Sequence, residues 1–147
     1  MCFRSHELVV DYVKTLGLED KDIYLLGHSL GTGVVVDYAT KMKWKSQVTL
    51  VSPYLSIPRV FYNDDSVDNF NPKFQFNSLK KMKDIECKVN MIHGANDQLI
   101  PCIHSQTLHE SIREDIRKHS PLIIVGDADH DNIIGKIDDN AVNILLS

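Results

Sequence analysis

The stretch IYLLGHSLGTGVVVDYA, residues 23–39, places Ser29 between two glycines, Gly27 and Gly31, directly after a short apolar run. That run is too short and too apolar for an exposed helix, so it predicts a buried strand. Segment 33–42 predicts a helix despite its three consecutive valines, because another strand follows closely and two successive parallel strands need a crossover. We therefore expect Ser29 on a sharp turn from a strand to a helix.

The rest of the chain alternates in the same way. Further apolar runs at 47–51, 88–94 and 121–126 predict buried strands, and helix-length segments accompany them at 5–17, 103–118 and 140–146. Apolar strands that alternate with helices indicate a parallel α/β sheet. We predict about four parallel strands flanked by helices, in a single partial domain over residues 1–147. Segment 53–77, which shows no clear period, predicts a cap or a long loop.

The composition excludes several classes of protein. The net charge is −4 and no block of Lys and Arg occurs, which argues against a nucleic-acid partner. The apolar runs are short, so the sequence predicts no transmembrane segment, and the N-terminus lacks the apolar core of a secretory signal. Three scattered cysteines indicate a reducing compartment and predict neither a disulfide framework nor a zinc site. We expect no cofactor, no metal, and an intracellular protein that is cytoplasmic or peripherally bound to a membrane.

The residues Gly27-His28-Ser29-Leu30-Gly31 fit the pattern G-x-S-x-G, and their position between a strand and a helix is that of a nucleophile elbow. We expect strained backbone at Ser29, and we expect a Cβ on either glycine to collide with neighbouring segments. The Leu30 N–H then lies at a helix N-terminus, where it can stabilise an oxyanion. A phosphate loop is disfavoured because no lysine follows the glycines, and a dinucleotide fingerprint fails on spacing.

A serine nucleophile needs a base, and the base needs an orienting carboxylate. Asp97 lies just past the third predicted strand and His130 just past the fourth. Because the carboxyl ends of parallel strands meet at one edge, we expect the His130 ring between the Ser29 hydroxyl and the Asp97 carboxylate, with contacts of about 2.6–3.2 Å. The alternatives are a structural turn at Ser29, a turn-forming role for Asp97 and an acidic, calcium-like loop around His130. Three acidic residues compete with Asp97 for the orienting role but lie too close to His130 in sequence to reach its far ring nitrogen: Asp127, Asp129 and Asp131.

Four blocks of the sequence carry a resemblance to a known family: LLGHSLGT, VSPYLS, FNSLKKMKDIECKVNMIHGANDQLIP and VGDADHDNII. They resemble the α/β-hydrolase superfamily, and within it the eukaryotic α/β-hydrolase-domain group that includes depalmitoylating thioesterases and serine aminopeptidase-like relatives. The resemblance implies Ser29 as nucleophile, Asp97 as orienting acid and His130 as base. It also implies cleavage of an ester or thioester, in a lipid-like molecule or a palmitoylated protein, through an acyl-enzyme. The group's usual glycine before the histidine is Asp129 in this chain.

The resemblance further implies an eight-stranded sheet in which the elbow follows the fifth strand. In this chain the elbow begins at residue 27, so we expect the C-terminal half of that fold, N-terminally truncated, with an exposed apolar edge on its first strand. The loop that gives a second oxyanion N–H would belong to the missing half. Two classes of function stay open: a serine hydrolase, with or without an N-terminal half supplied from elsewhere, and a catalytically inactive fragment or interaction module that retains the triad residues.

Overall fold

The computed structural model describes residues 5–62 and 76–146, which form one four-stranded parallel sheet flanked by helices. Each strand pairs in parallel with the next in the chain, so the order across the sheet equals the order in the sequence. The strands are β1 (Leu25–His28), β2 (Val48–Val51), β3 (Val89–Gly94) and β4 (Leu122–Val125). The predicted fold class, a C-terminal half built on about four parallel strands, is confirmed.

Helices cover the sheet, and most of them connect successive strands. They are α1 (Ser5–Thr15), α2 (Leu30–Lys41), α3 (Ile57–Tyr62), α4 (Ser78–Met82), α5 (Ile103–Ser111), α6 (Glu114–Arg117), α7 (Ile133–Lys136) and α8 (Asp139–Leu146). The valine-rich segment is helical, as predicted, because α2 is the crossover between β1 and β2. Its side chains Val36, Tyr38 and Ala39 are buried, and this burial outweighs the mild helix penalty of valine.

The single helix predicted over 103–118 is wrong. α5 ends at Ser111 and α6 begins at Glu114, because Ile112 and Arg113 between them are extended, with ψ of 139° and 140°. Ile112 is buried all the same, at 3% exposure. The Arg113 guanidinium stays outside and pairs with the Asp115 carboxylate at 3.0 Å.

The core lies on both faces of the sheet. One face carries a large cluster around Trp44, Leu50 and Met91, and the other a smaller one around Ile92 and Ile133. β1 is an edge strand of the described sheet, and its Leu26 is 63% exposed. Leu8, Val9 and Tyr12 of α1 are exposed as well, and so is Leu16 just after that helix. The expected apolar edge is therefore present.

Segment 53–77 lies partly outside the described residues, which exclude 63–75. Residues 53–56 are buried, and α3 follows them directly. The single-domain and cap assignments stay predictions. Within the two described ranges, no helix is long and apolar enough to cross a membrane.

Candidate active site

Ser29 has the strained backbone expected of an elbow, with φ of 51° and ψ of −121°. A positive φ is unfavourable for a residue with a side chain, so the surrounding structure must hold it. The Ser29 N–H donates to the Val51 carbonyl at 2.9 Å, and the Ser29 carbonyl accepts from the N–H and the hydroxyl of Thr32 at 3.0 and 2.7 Å. These bonds fix the turn between β1 and α2 and direct the hydroxyl to the carboxyl edge of the sheet.

The two elbow glycines differ in what surrounds them. A Cβ on Gly27 would lie 2.6 Å from the Gly31 carbonyl oxygen and 2.8 Å from the Thr32 Cα, which confirms the expected collision. A Cβ on Gly31 would meet no atom of the described residues within 4 Å, so the collision expected there is wrong. The Cβ direction at Gly31 points into open space, whereas Gly27 is covered by the first turn of α2.

Ser29, His130 and Asp97 form one chain of contacts. The Ser29 hydroxyl lies 2.9 Å from His130 Nε2, and His130 Nδ1 lies 2.8 Å from Asp97 Oδ2. Both distances fall within the expected range. Two of the three neighbouring carboxylates are engaged elsewhere: Asp127 pairs with Lys136 at 2.5 Å, and Asp129 accepts two backbone N–H bonds from its own loop.

The loops that carry Asp97 and His130 are bonded to each other. The Asn96 N–H donates to the Ala128 carbonyl at 2.9 Å. A Cβ on Gly94, the last residue of β3, would lie 2.5 Å from that same carbonyl oxygen. Only glycine allows this close approach, so Gly94 helps to hold the His130 loop against the Asp97 loop.

The Asp97 carboxylate is fully buried and fully engaged. Its Oδ1 accepts the N–H groups of Leu99 and Ile100 at 3.0 and 2.8 Å, while Oδ2 faces His130. Burial alone raises the pKa of Asp97, but the Ile100 amide and the His130 imidazole outweigh it and hold that pKa below its usual value. Asp97 is thus an ionised acceptor that orients the His130 ring.

His93, near the end of β3, is a second histidine against Asp97. Its Nε2 lies 2.7 Å from the Ile100 carbonyl and 3.3 Å from Asp97 Oδ2, and its Nδ1 lies 2.8 Å from the Ser105 hydroxyl. Burial lowers the pKa of His93, so the ring is neutral. We assign the tautomer in which Nε2–H donates to the Ile100 carbonyl and Nδ1 accepts from Ser105.

His28 occupies the variable position of the elbow, and its ring stacks on His130. The two ring centroids are 5.5 Å apart and the planes differ by 29°. Among the described residues, the buried Nε2 of His28 has no hydrogen-bond partner. The sequence could place His28 beside the site, but the contact between the rings requires the fold.

The Leu30 N–H is the first amide of α2, so it has no acceptor within that helix. Tyr54 supports this turn, since its hydroxyl donates to the Leu30 carbonyl at 3.3 Å. The role of the Leu30 amide as an oxyanion donor stays a prediction. In residues 5–62 and 76–146, no group of three His, Cys, Asp or Glu side chains is arranged to hold a metal ion.

Comparison with known proteins finds relatives in sequence and in fold. The protein L404 of Acanthamoeba polyphaga mimivirus, provisionally named an alpha/beta hydrolase, is 37% identical over 137 residues. That alignment covers 92% of this chain and 50% of L404, so the chain spans about half the length of this curated relative. No family model matches the sequence.

Two solved structures are similar in fold. A monoacylglycerol lipase of Paleococcus ferrophilus has a TM-score of 0.60 at 16% identity, over 85% of this chain and 65% of its own. Acetyl xylan esterase 1 of Thermoanaerobacterium sp. JW/SL YS485 has a TM-score of 0.61 at 21% identity, over 88% of this chain and 46% of its own. Identities this low show a common fold.

Proposed function

This chain belongs to the α/β-hydrolase superfamily, and on that premise we propose that it is a serine hydrolase which cleaves an ester or thioester through an acyl-enzyme. One observation carries the proposal. The Ser29 hydroxyl, on a turn with φ of 51°, lies 2.9 Å from His130 Nε2, and the other ring nitrogen lies 2.8 Å from a buried carboxylate. Nucleophile, base and orienting acid are the parts that acyl transfer by serine requires.

In the acylation step, the Ser29 oxygen attacks the substrate carbonyl carbon and its proton passes to His130 Nε2. The carbonyl oxygen becomes an oxyanion, which accepts the Leu30 N–H at the positive end of α2. When the tetrahedral intermediate collapses, His130 gives the proton to the departing oxygen or sulfur. The Asp97 carboxylate holds the imidazolium in place throughout.

Deacylation repeats these steps with water. His130 takes a proton from the water as its oxygen attacks the acyl carbon, and then returns it to the Ser29 oxygen. His130 must be neutral to accept the first proton.

The substrate is an acyl ester or thioester, either a small molecule, a lipid-like one or an acylated protein. The names of the two structurally similar proteins, a lipase and an esterase, support an ester. The proposal includes the location expected from the sequence, which is cytoplasmic or peripheral to a membrane.

A second candidate function is an interaction module that keeps the triad residues without turnover. The chain spans about half of its curated relative, and the resemblance assigns a second oxyanion donor to a loop ahead of the elbow. Loss of one such donor costs about 10²–10³ in kcat. Turnover by this chain on its own separates the two functions.

The test is hydrolysis of 4-nitrophenyl butyrate and of a butyryl thioester by the purified chain. We expect slow turnover that Ser29→Ala lowers by at least about 10³-fold, since it removes the nucleophile. Ser46→Ala is the matched control. Ser46 lies just before β2, at the amino ends of the strands, whereas Ser29 lies at their carboxyl ends. Equal turnover in the wild-type chain and Ser29→Ala would contradict the proposal, and a folded chain with no turnover would support the interaction module.

A further inference from the structure

We propose that His93 is a positioning residue of the site: its neutral ring holds the loop that orients Asp97, and so keeps one carboxylate oxygen directed at His130. The inference rests on the proposed function and extends it to a residue outside the triad on which the base depends. It follows from the hydrogen bonds that join His93 and Asp97 through one short loop, residues 97–100.

The loop after β3 decides which oxygen of Asp97 faces His130. The Asp97 Oδ1 atom accepts the N–H groups of Leu99 and Ile100 at 3.0 and 2.8 Å, and Oδ2 lies 2.8 Å from His130 Nδ1. Because two amides hold Oδ1, the carboxylate cannot rotate without losing both bonds. The position of Ile100 therefore sets the direction of the hydrogen bond between Asp97 and His130.

His93 fixes Ile100 through its other peptide group. The Ile100 N–H is bonded to Asp97, whereas the Ile100 carbonyl oxygen lies 2.7 Å from His93 Nε2. His93 is completely buried, and it belongs to β3, which lies between β2 and β4 in the sheet. The bond to the Ile100 carbonyl thus ties the Asp97 loop to a central strand.

The surroundings of the ring select the tautomer that makes this bond. If only Nδ1 carried a proton, the Nε2 lone pair would face two acceptors, the Ile100 carbonyl at 2.7 Å and Asp97 Oδ2 at 3.3 Å. The Ser105 hydroxyl lies 2.8 Å from Nδ1 and is able to donate to it. Ser105 therefore donates to Nδ1, and the Nε2–H group of His93 donates to Ile100.

A neutral ring suits this place because it leaves the Asp97 charge to His130. His93 Nε2 and His130 Nδ1 approach the same oxygen, Asp97 Oδ2, at 3.3 and 2.8 Å. The Nε2–H of His93 is directed at the nearer acceptor, the Ile100 carbonyl. A cation at this position would offset the negative charge that stabilises the imidazolium of His130 during turnover. Burial lowers the pKa of His93 and so keeps the ring uncharged.

Two amide substitutions separate this role from simple filling of the core. The amide nitrogen of glutamine reaches about as far as imidazole Nε2, so His93→Gln retains a donor for the Ile100 carbonyl. The amide of asparagine reaches only about as far as Nδ1, so His93→Asn loses that bond. His93→Leu is a second variant without a donor, and its apolar side chain is suited to a buried position.

Val89→Ala controls for lost stability. Val89 is fully buried at the amino end of β3, the end opposite to His93, so its truncation weakens the core without touching the Asp97 loop. The fluorescence of Trp44 shows which variants are folded, and the variants are compared in the folded state.

The first readout is spectroscopic and needs no turnover. A ring N–H that donates to a carboxylate gives a proton NMR resonance far downfield, and its loss in His130→Ala assigns it to His130. We expect this resonance in the wild-type chain, His93→Gln and Val89→Ala, and its loss or an upfield shift in His93→Asn and His93→Leu. An unchanged resonance in either of these last two variants would overturn the inference, and so would a wild-type chain that lacks it.

The second readout is the hydrolysis of 4-nitrophenyl butyrate. We expect kcat to fall about 10- to 100-fold in His93→Asn and His93→Leu with little change in KM, since the base is misaligned but the substrate still binds. His93→Gln should restore kcat to within about fivefold of the wild-type value, and Val89→Ala should leave kcat unchanged. Equal losses in the glutamine and asparagine variants would refute positioning by His93. Absence of turnover in every chain, with the NMR resonance responding as expected, would contradict the proposed function and still support the role of His93.

Discussion

Gly27→Ala should destabilise the chain, because the elbow is packed most tightly at this residue. The added Cβ would lie 2.6 Å from the Gly31 carbonyl oxygen and 2.8 Å from the Thr32 Cα. Both are backbone atoms and cannot rotate aside, so β1 and the start of α2 must move apart. Overpacking of this kind costs about 1–3 kcal/mol of unfolding free energy.

Gly31→Ala is the matched control on the other side of Ser29. Its Cβ would meet no atom of the described residues within 4 Å. Alanine is the better residue in the first turn of a helix, so stability should be unchanged or rise by up to about 1 kcal/mol. The same added methyl group should therefore separate the two variants by about 1–4 kcal/mol.

Urea unfolding measures this difference. Trp44, the sole tryptophan, is 1% exposed and reports the loss of the core by its fluorescence. With a slope of about 2 kcal/mol per molar urea, Gly27→Ala should lower the midpoint by roughly 0.5–1.5 M. If Gly27→Ala unfolded at the wild-type midpoint while Gly31→Ala unfolded earlier, the close packing of α2 against Gly27 would be refuted.

Three further predictions concern the histidines and Asp97. Asp97→Asn should lower kcat of ester hydrolysis by about 10⁴-fold with little change in KM, because the imidazolium loses its orienting charge; a loss below tenfold would contradict that role. His28→Ala should lower kcat about two- to tenfold and His28→Phe should retain it, because a stacked ring contributes about 0.5–1.5 kcal/mol; equal kcat losses would argue against stacking on His130. The free energy of unfolding should fall as pH drops below about 6.5. Burial lowers the pKa of His93 in the folded chain, so on acidification the unfolded chain binds a proton before the folded chain does. The urea midpoint of unfolding, measured between pH 7 and 5, reports this loss of stability. His93→Asn should make the midpoint less dependent on pH. If His93→Asn left the pH dependence unchanged, another group would be responsible for it.

The sequence was sufficient for the sheet and for the contacts of Ser29, Asp97 and His130. Each of these residues follows a short apolar run, and parallel strands bring their carboxyl ends to one edge. The end of each apolar run therefore predicts which residues meet at the site, although these residues are far apart in the sequence. The residues that could be predicted are those whose position depends on strand order alone.

The remainder depends on packing that no local pattern encodes. The helix over 103–118 is interrupted at Ile112 although this residue keeps the helical spacing of apolar side chains. Gly31 looks equivalent to Gly27 until the space around each is known. His28 and His93 stand out in the sequence only as histidines near the motifs. Their contacts with His130 and Asp97 arise from the approach of separate loops.

Covalent labelling of the whole chain with a fluorophosphonate tests the central claim most directly, because the probe reacts only with an activated serine and needs no deacylation. Peptide mass spectrometry locates the label. We expect one label per chain, on Ser29, with the labelling rate lowered at least about 10²-fold in His130→Ala. A label on another serine, or a rate on Ser29 that His130→Ala leaves unchanged, would contradict the assignment of Ser29 and His130 as nucleophile and base.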